Sequence, residues 1–356
     1  MWTTDIDPRR VPPWLASPGE RYDNPGIGLF ANCKDSRCRD PMTYRLLTRR
    51  RLLAAGLRSA TLLGSMPALP LAARAASANL AWQSLTTDLA LVSGAGGNVL
   101  VISGPDGVAL VDGGNEAAAE PLLSLVEAQT GGRPELLFNS HCHRDQIGCN
   151  QRLGAAGASI VAHENTRLWL GTVIRSTWEN RSYQPLPAAA LPGKTFYYDS
   201  ETLHFNRPLT YGYLPQGHTD GDLYLQVADA NVLFVGDVVS VGRYPLVDFA
   251  TNGWIGGMIN SLTQLLALCD AQTRVIAGSG GVVGRAHIEA QLELCSTVAD
   301  RIGTHYFKGG SFEEFLASKP TAEFDQDWGD PSLFLLTAYQ GTLPHVTEIR
   351  RFGRRQ

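Results

Sequence analysis

Residues 140–146 read Ser-His-Cys-His-Arg-Asp-Gln. Two histidines two residues apart, with an acid two further on, have the spacing of metal ligands. In an extended loop His141 and His143 project to one side and Cys142 to the other. Imidazole nitrogen and carboxylate oxygen both bind zinc, and a catalytic zinc needs only three protein ligands plus water. Alone, the triplet could equally be three polar residues on a loop. Residues 217–222, Gly-His-Thr-Asp-Gly-Asp, sharpen it by adding His218, and Phe234-Val235-Gly236-Asp237 adds a further acid. The candidate set is therefore His141, His143, Asp145, His218 and Asp237. Three neutral imidazoles would hold one zinc. Asp145 and Asp237 would either hold a second ion or orient the water on the first. Zinc lowers the pKa of bound water to about 7, which makes hydroxide available at neutral pH. The chemistry implied is attack on an ester, thioester, amide or lactam carbonyl.

Each candidate follows an apolar, strand-like run or sits in a Gly-rich loop, where a rigid scaffold places ligands. Leu136-Leu137-Phe138 reads as a buried strand ahead of the first histidine. Short β-rich runs at 89–92, 98–102 and 108–111 are separated by glycine and Pro-Asp-Gly turns. Residues 116–130 carry a helical stripe (Leu122, Leu123, Leu125, Val126) that stops at Gly131-Gly132. A helix over 147–153, a strand over 158–162 and a helix over 163–172 continue an α/β alternation. Residues 175–194 look irregular and Pro-rich, either a cover for the site or an inert excursion. Strands broken by Pro208 are expected over 201–214, then a hairpin around Ala230-Asn231. A helix is expected over 254–268, a strand over 274–277, and helices over 286–302 and 311–318. Tyr183, Tyr244, Trp169, Trp178 and Trp254 either line a pocket or pack the core.

Hydrophobic residues make up 44% and charged residues 18% of the 356, the composition of a globular protein. A net charge of -4 gives no electrostatic footprint for nucleic acid, so a small-molecule substrate is the expected partner. Thr48-Arg49-Arg50-Arg51-Leu52-Leu53 precedes an Ala/Leu-rich apolar run to Leu71 and small-x-small cleavage sites near residues 73–78. That layout reads as a twin-arginine-type export signal over 42–78, with a periplasmic or secreted destination. Arg58, Ser59, Gly64, Pro67 and Pro70 make the run a poor membrane span. Residues 1–41 read as a disordered leader or an extended start upstream of Met42. Residues 350–354 form a basic tail. Cys142, Cys149, Cys269 and Cys295 read as small buried apolar residues, with Cys142 and Cys149 near enough in sequence to pair in an oxidising compartment.

The order His-x-His-x-Asp, Gly-His-Thr-Asp-Gly-Asp and Phe-Val-Gly-Asp resembles the metallo-β-lactamase-fold hydrolase superfamily over about residues 80–288. The resemblance implies a four-layer αββα sandwich with metals at one edge. It implies that His141, His143 and His218 bind the first metal, that Asp145 belongs to the second, that Asp237 bridges, and that Asp112 is a buried acid behind the site. It also implies a core domain over 79–290 and a C-terminal helical extension over 291–356. Lys319-Pro320-Thr321-Ala322-Glu323-Phe324 and Trp328-Gly329 resemble the extension of a bacterial branch with periplasmic members. Two positions depart from the family pattern. Gln146 stands where a histidine usually follows the motif aspartate, and Ser279 stands in a Gly-Ser-Gly where Gly-His-Gly is usual. Both normally feed the second metal, and an amide oxygen or hydroxyl is a poor substitute. The same departures also leave open a non-catalytic binding protein, although the intact triad favours a zinc-dependent hydrolase in which Asp145 positions or deprotonates water. Iron or manganese would also suit these donors. One tightly held zinc per chain is expected after dialysis, with the second position weak or empty; elemental analysis finding two would refute this.

Overall fold

The apolar runs at the start of the folded region are continuous rather than alternating, which is the mark of strands covered on both faces. Period-2 geometry divides each run between two cores. Leu89, Leu91, Leu100, Ile102, Ala109, Val111, Leu136 and Phe138 face one core, while Ala90, Val92, Val101, Leu110 and Leu137 face another. The computed structural model describes residues 79–198 and 200–349, which fall in the compact unit 72–356. The leader at 1–41, the export signal at 42–78 and the basic tail lie outside the described residues.

The first sheet has seven strands in the order β1 (Ala81–Ser84), β2 (Leu89–Ser93), β3 (Val99–Gly104), β4 (Gly107–Val111), β5 (Pro134–Phe138), β6 (Ser159–His163) and β9 (Lys194–Phe196). It is antiparallel through β4 and parallel from β4 to β9. The second sheet runs β10 (Ser200–Phe205), β11 (Arg207–Leu214), β12 (Asp222–Val227), β13 (Val232–Gly236) and β14 (Arg274–Ala277), with only β13 and β14 parallel. Between the sheets, Phe138 and Tyr211 pack at 5.1 Å between ring centroids. Outside the first sheet, α1 (Ala119–Thr130) and α2 (Asn150–Ala155) bury Leu122, Val126 and Leu153. Outside the second, α4 (Ile255–Leu268), α5 (Arg285–Phe307) and α8 (Ser332–Thr342) cover Leu233, Val235, Val275 and Ala277. The layering is αββα, as the resemblance implies.

Some expectations need adjusting. The break in the strands over 201–214 falls at Asn206, which takes φ 61°, and Pro208 sits inside β11 paired to His204. On the β12 side its missing N–H costs no ladder bond, because pairing there starts only at Thr210. Residues 175–194 are irregular only in part: β7 (Ile174–Ser176) and β8 (Arg181–Tyr183) form a hairpin of their own, and the Pro-rich stretch 184–193 holds one short 3-10 turn, Ala188–Ala190. The four described cysteines are buried free thiols, so Cys142 and Cys149 do not pair. Helix α5 runs unbroken across position 290, and Phe315, Trp328, Phe334 and Leu335 from the C-terminal region share its core. Among the described residues, no helix is long and apolar enough to cross a membrane.

Phe138 is fully buried at the inter-sheet seam and directly precedes the site loop. Phe138→Ala is expected to cost about 3–5 kcal/mol by leaving a cavity; urea unfolding measures it, and a loss under 1 kcal/mol would contradict this packing.

Candidate metal centre

Strand ends at one edge of the two sheets carry the chemistry. His141 and His143 leave β5, His218 lies between β11 and β12, and Asp237 follows β13. Backbone bonds lock these loops: Leu223 N donates to Ser140 O at 2.8 Å between the two sheets, and Gly278 N donates to Gly236 O at 2.8 Å within the second. Gly236 takes φ +56°, and a Cβ there would meet Ser140 Oγ at 2.8 Å. A side chain at Gly278 would collide with the Asp237 carboxylate. Both positions need glycine for the acid to stand beside the histidines.

His141, His143, His218 and Asp237 present ligand atoms that all lie within 4.8 Å of one another. The ring centroids are 4.6–4.8 Å apart. Asp237 Oδ2 stands 3.9 Å from both His141 Nε2 and His218 Nε2. Each imidazole is held from behind. His218 Nδ1 lies 2.8 Å from the carbonyl of Leu246, which can only accept, so this nitrogen carries the proton. His143 Nε2 donates to Asp248 Oδ2 at 2.9 Å. His141 Nδ1 meets Ser140 Oγ at 2.9 Å, and that hydroxyl reaches Asp112 Oδ2 at 2.6 Å. The inward atoms are therefore His141 Nε2, His143 Nδ1 and His218 Nε2.

Those inward atoms test the fit to a metal. His143 Nδ1 and His218 Nε2 are 3.0 Å apart, and His141 Nε2 is buried with no hydrogen-bond partner. Two lone pairs at that distance repel unless a proton or a cation sits between them. Zinc–nitrogen bonds of about 2.0–2.1 Å at tetrahedral angles bring nitrogens to about 3.4 Å. Three imidazoles and a carboxylate so arranged fit a divalent ion. Without an ion the electrostatics favour the proton, carried by His143. Burial, then the charges of His218 and His143, push His141 well below its usual range. Burial and the charge of His143 bring His218 down to about 4. Burial also opposes charge on His143, yet Asp248 outweighs it and lifts His143 to about 9. Against the pull of burial, His143, Trp178 and Thr251 hold Asp248 down at about 2.

The other expected residues fall into place differently. Asp145 lines the same cleft but stands outside the cluster of four; burial, and next the charge of Asp237, hold its carboxyl above the usual range. Asp112 takes φ 64°, is fully buried, and accepts from Ser140 N at 2.7 Å, so it braces the loop carrying His141. Gln146 is buried against Gly278, with its amide nitrogen 3.4 Å from the Gly278 carbonyl and its Oε1 unpaired. Ser279 Oγ accepts from Arg243 at 2.9 Å. Neither Gln146 nor Ser279 joins the cluster. Asp222, the last acid of the His218 motif, accepts from Thr219 N and Oγ1 and so shapes the loop. A further histidine, His287, hydrogen-bonds Ser240 O at 2.7 Å, packs near Trp328 and is not one of the four clustered residues.

The cluster opens into a cleft of about 1040 Å³. The β7–β8 hairpin lines it with Trp178 and Tyr183, the loop after Asp237 with Arg243 and Tyr244, and the C-terminal region with Leu333. Trp169 and Trp254 are not on its wall. Asp248 was invisible in the sequence: it lies 105 residues beyond His143 in a run with no motif spacing. Asp248→Asn is expected to weaken divalent-metal binding about 10–100-fold, since groups that orient ligands contribute on that scale. Chelator competition measures it, and an unchanged dissociation constant would remove Asp248 from the site.

The family profile described as the metallo-beta-lactamase superfamily matches residues 92–280, more than half of the chain. A hydroxyacylglutathione hydrolase from Synechococcus sp. (strain JA-2-3B'a(2-13)) is 26% identical over 150 residues, 42% of this chain and 52% of that protein. The chain thus spans about half the length of the curated relative it matches. A metallo-beta-lactamase from Pontibacter korlensis superposes with a TM-score of 0.50 at 18% identity, over 61% of this chain and 98% of that one; at that identity the likeness speaks to fold alone. The matched span contains every strand from β3 to β14 and all four clustered side chains, and the chain belongs to the metallo-beta-lactamase superfamily.

Proposed function

We propose that this protein is a zinc-dependent hydrolase that transfers the acyl group of an ester, thioester, amide or lactam to water. The observation that carries the reading is the convergence of three imidazole nitrogens whose outer nitrogens are all engaged elsewhere, one inward atom being buried and unpaired. His141, His143 and His218 would hold the ion, with Asp237 beside it. When bound, zinc supplies Lewis acidity and acidifies water at neutral pH. Asp145 borders the cleft beside His143 and Asp237, where its carboxylate orients water and takes up the proton. Asp112 and Asp248 keep His141 and His143 in the tautomers that face inward.

One ion per chain is the reading that Gln146 and Ser279 support. Gln146 is packed against the Gly278 carbonyl, and Ser279 is engaged by Arg243, whose positive charge disfavours a second cation nearby. A cleft of about 1040 Å³ suits a small molecule of drug-like size rather than a minimal acetyl group. The hydroxyacylglutathione hydrolase relative makes a glutathione thioester one candidate among the acyl classes. Residues 42–78 support export to the periplasm or beyond as part of the same proposal.

The test is turnover by zinc-loaded protein of a chromogenic ester, a hydroxyacylglutathione thioester and a chromogenic cephalosporin. At least one class should be hydrolysed, with turnover lost on chelation and restored by zinc. His218→Ala should lower that turnover about a hundredfold or more while leaving the circular dichroism spectrum unchanged. No zinc-dependent turnover across the panel would sink the hydrolase reading.

A further inference from the structure

The hairpin of β7 and β8 is joined to neither main sheet. Its turn, residues 177–180, closes with Asn180 N donating to Thr177 O and with Asn180 at φ 53°. Trp178 sits in that turn and reaches into the cleft wall. Its indole Nε1–H donates to Asp248 Oδ1 at 2.7 Å. The other oxygen of the same carboxylate accepts from His143 Nε2 at 2.9 Å and from Thr251 Oγ1 at 2.8 Å. A second tie runs from the metal loop outward. Arg144, the residue after His143, donates to Gln184 O at 2.6 Å and lies 5.7 Å from the Tyr183 ring centroid.

We propose that Trp178 is a positioning residue for the metal centre, coupling the seating of the β7–β8 hairpin to the grip of His143 on the ion. Asp248 is 2% exposed, so each of its oxygens needs its donors. Removing the indole N–H leaves Oδ1 with one donor, the backbone N of Ala250 at 3.1 Å. The carboxylate then turns more freely, and with it the His143 ring that it orients. By linkage the effect is reciprocal: an ion that fixes His143 must also favour the seated hairpin by the same factor. A ligand that enters the cleft by displacing Trp178 therefore loosens His143 as it arrives. The hairpin is a wall whose position is read by the site.

The proposal rests on the metal reading above, and the experiment separates the two. The full chain is titrated with zinc against a chromogenic chelator, as wild type, Trp178→Phe and Trp178→His. Trp178→Phe keeps the ring and removes the donor, and should weaken zinc about tenfold. Trp178→His restores a ring N–H and should recover part of that loss. Hydrogen exchange of the wild type, with zinc and after chelation, provides a measurement that needs no variant: amides of residues 174–183 should slow when zinc binds. In Trp178→Phe that slowing should disappear. Trp178→Phe holding zinc within twofold of wild type overturns the coupling alone, as does wild-type hairpin exchange that ignores zinc. Absence of zinc binding by the wild type overturns the metal reading and the coupling with it.

Discussion

Three imidazoles, each with its outer nitrogen committed, turn three inward nitrogens toward one point at the edge of an open cleft. That arrangement is unfavourable by itself, because like partial charges face one another in a low-dielectric setting. The surrounding protein makes it stable by bonding every outer nitrogen: Ser140 with Asp112 behind His141, Asp248 behind His143, and the Leu246 carbonyl behind His218. The supporting groups come from the loops after β4, β5 and β13, the last supplying both Leu246 and Asp248. The constraint on the fold is therefore to bring those loops to one edge and hold them there.

The two sheets meet that constraint through their parallel pairs. β4 with β5, and β13 with β14, point their C-terminal ends the same way, so the loops after them share an edge. Asp112, His141 and His143 come from one sheet, and His218, Asp237 and Gly278 from the other. Glycine is needed at 236 and 278 because any side chain there would occupy the space of Ser140 or of the Asp237 carboxylate. The inter-sheet core behind these loops, with Phe138 against Tyr211, fixes the distance between the two halves of the site.

What surrounds the site comes from elsewhere. The hairpin of β7 and β8, the loop after Asp237 and the C-terminal region build the cleft walls. These parts pack against the sandwich without belonging to its sheets. The superfamily hosts many chemistries on one sandwich, and differences of this kind are where substrate choice resides.

The ligand-bearing loops were legible in the sequence because their signals are local. His141, His143 and Asp145 are spaced within five residues, His218 sits in a Gly-His-Thr-Asp-Gly-Asp run, and apolar runs mark the strands before them. The strand-rich layering was legible for the same reason, since a period of two acts over a few residues. Asp248 was not, and Trp178 was legible only as an aromatic for a pocket or the core, because the bond between them joins residues tens of positions apart with no local pattern. The hairpin within residues 175–194 was not legible because strands of three residues are too short to show an alternation. Sequence determined which groups are able to bind a cation. Tertiary structure decided which nitrogen of each ring turns inward, because that choice belongs to the partner on the far side of the ring.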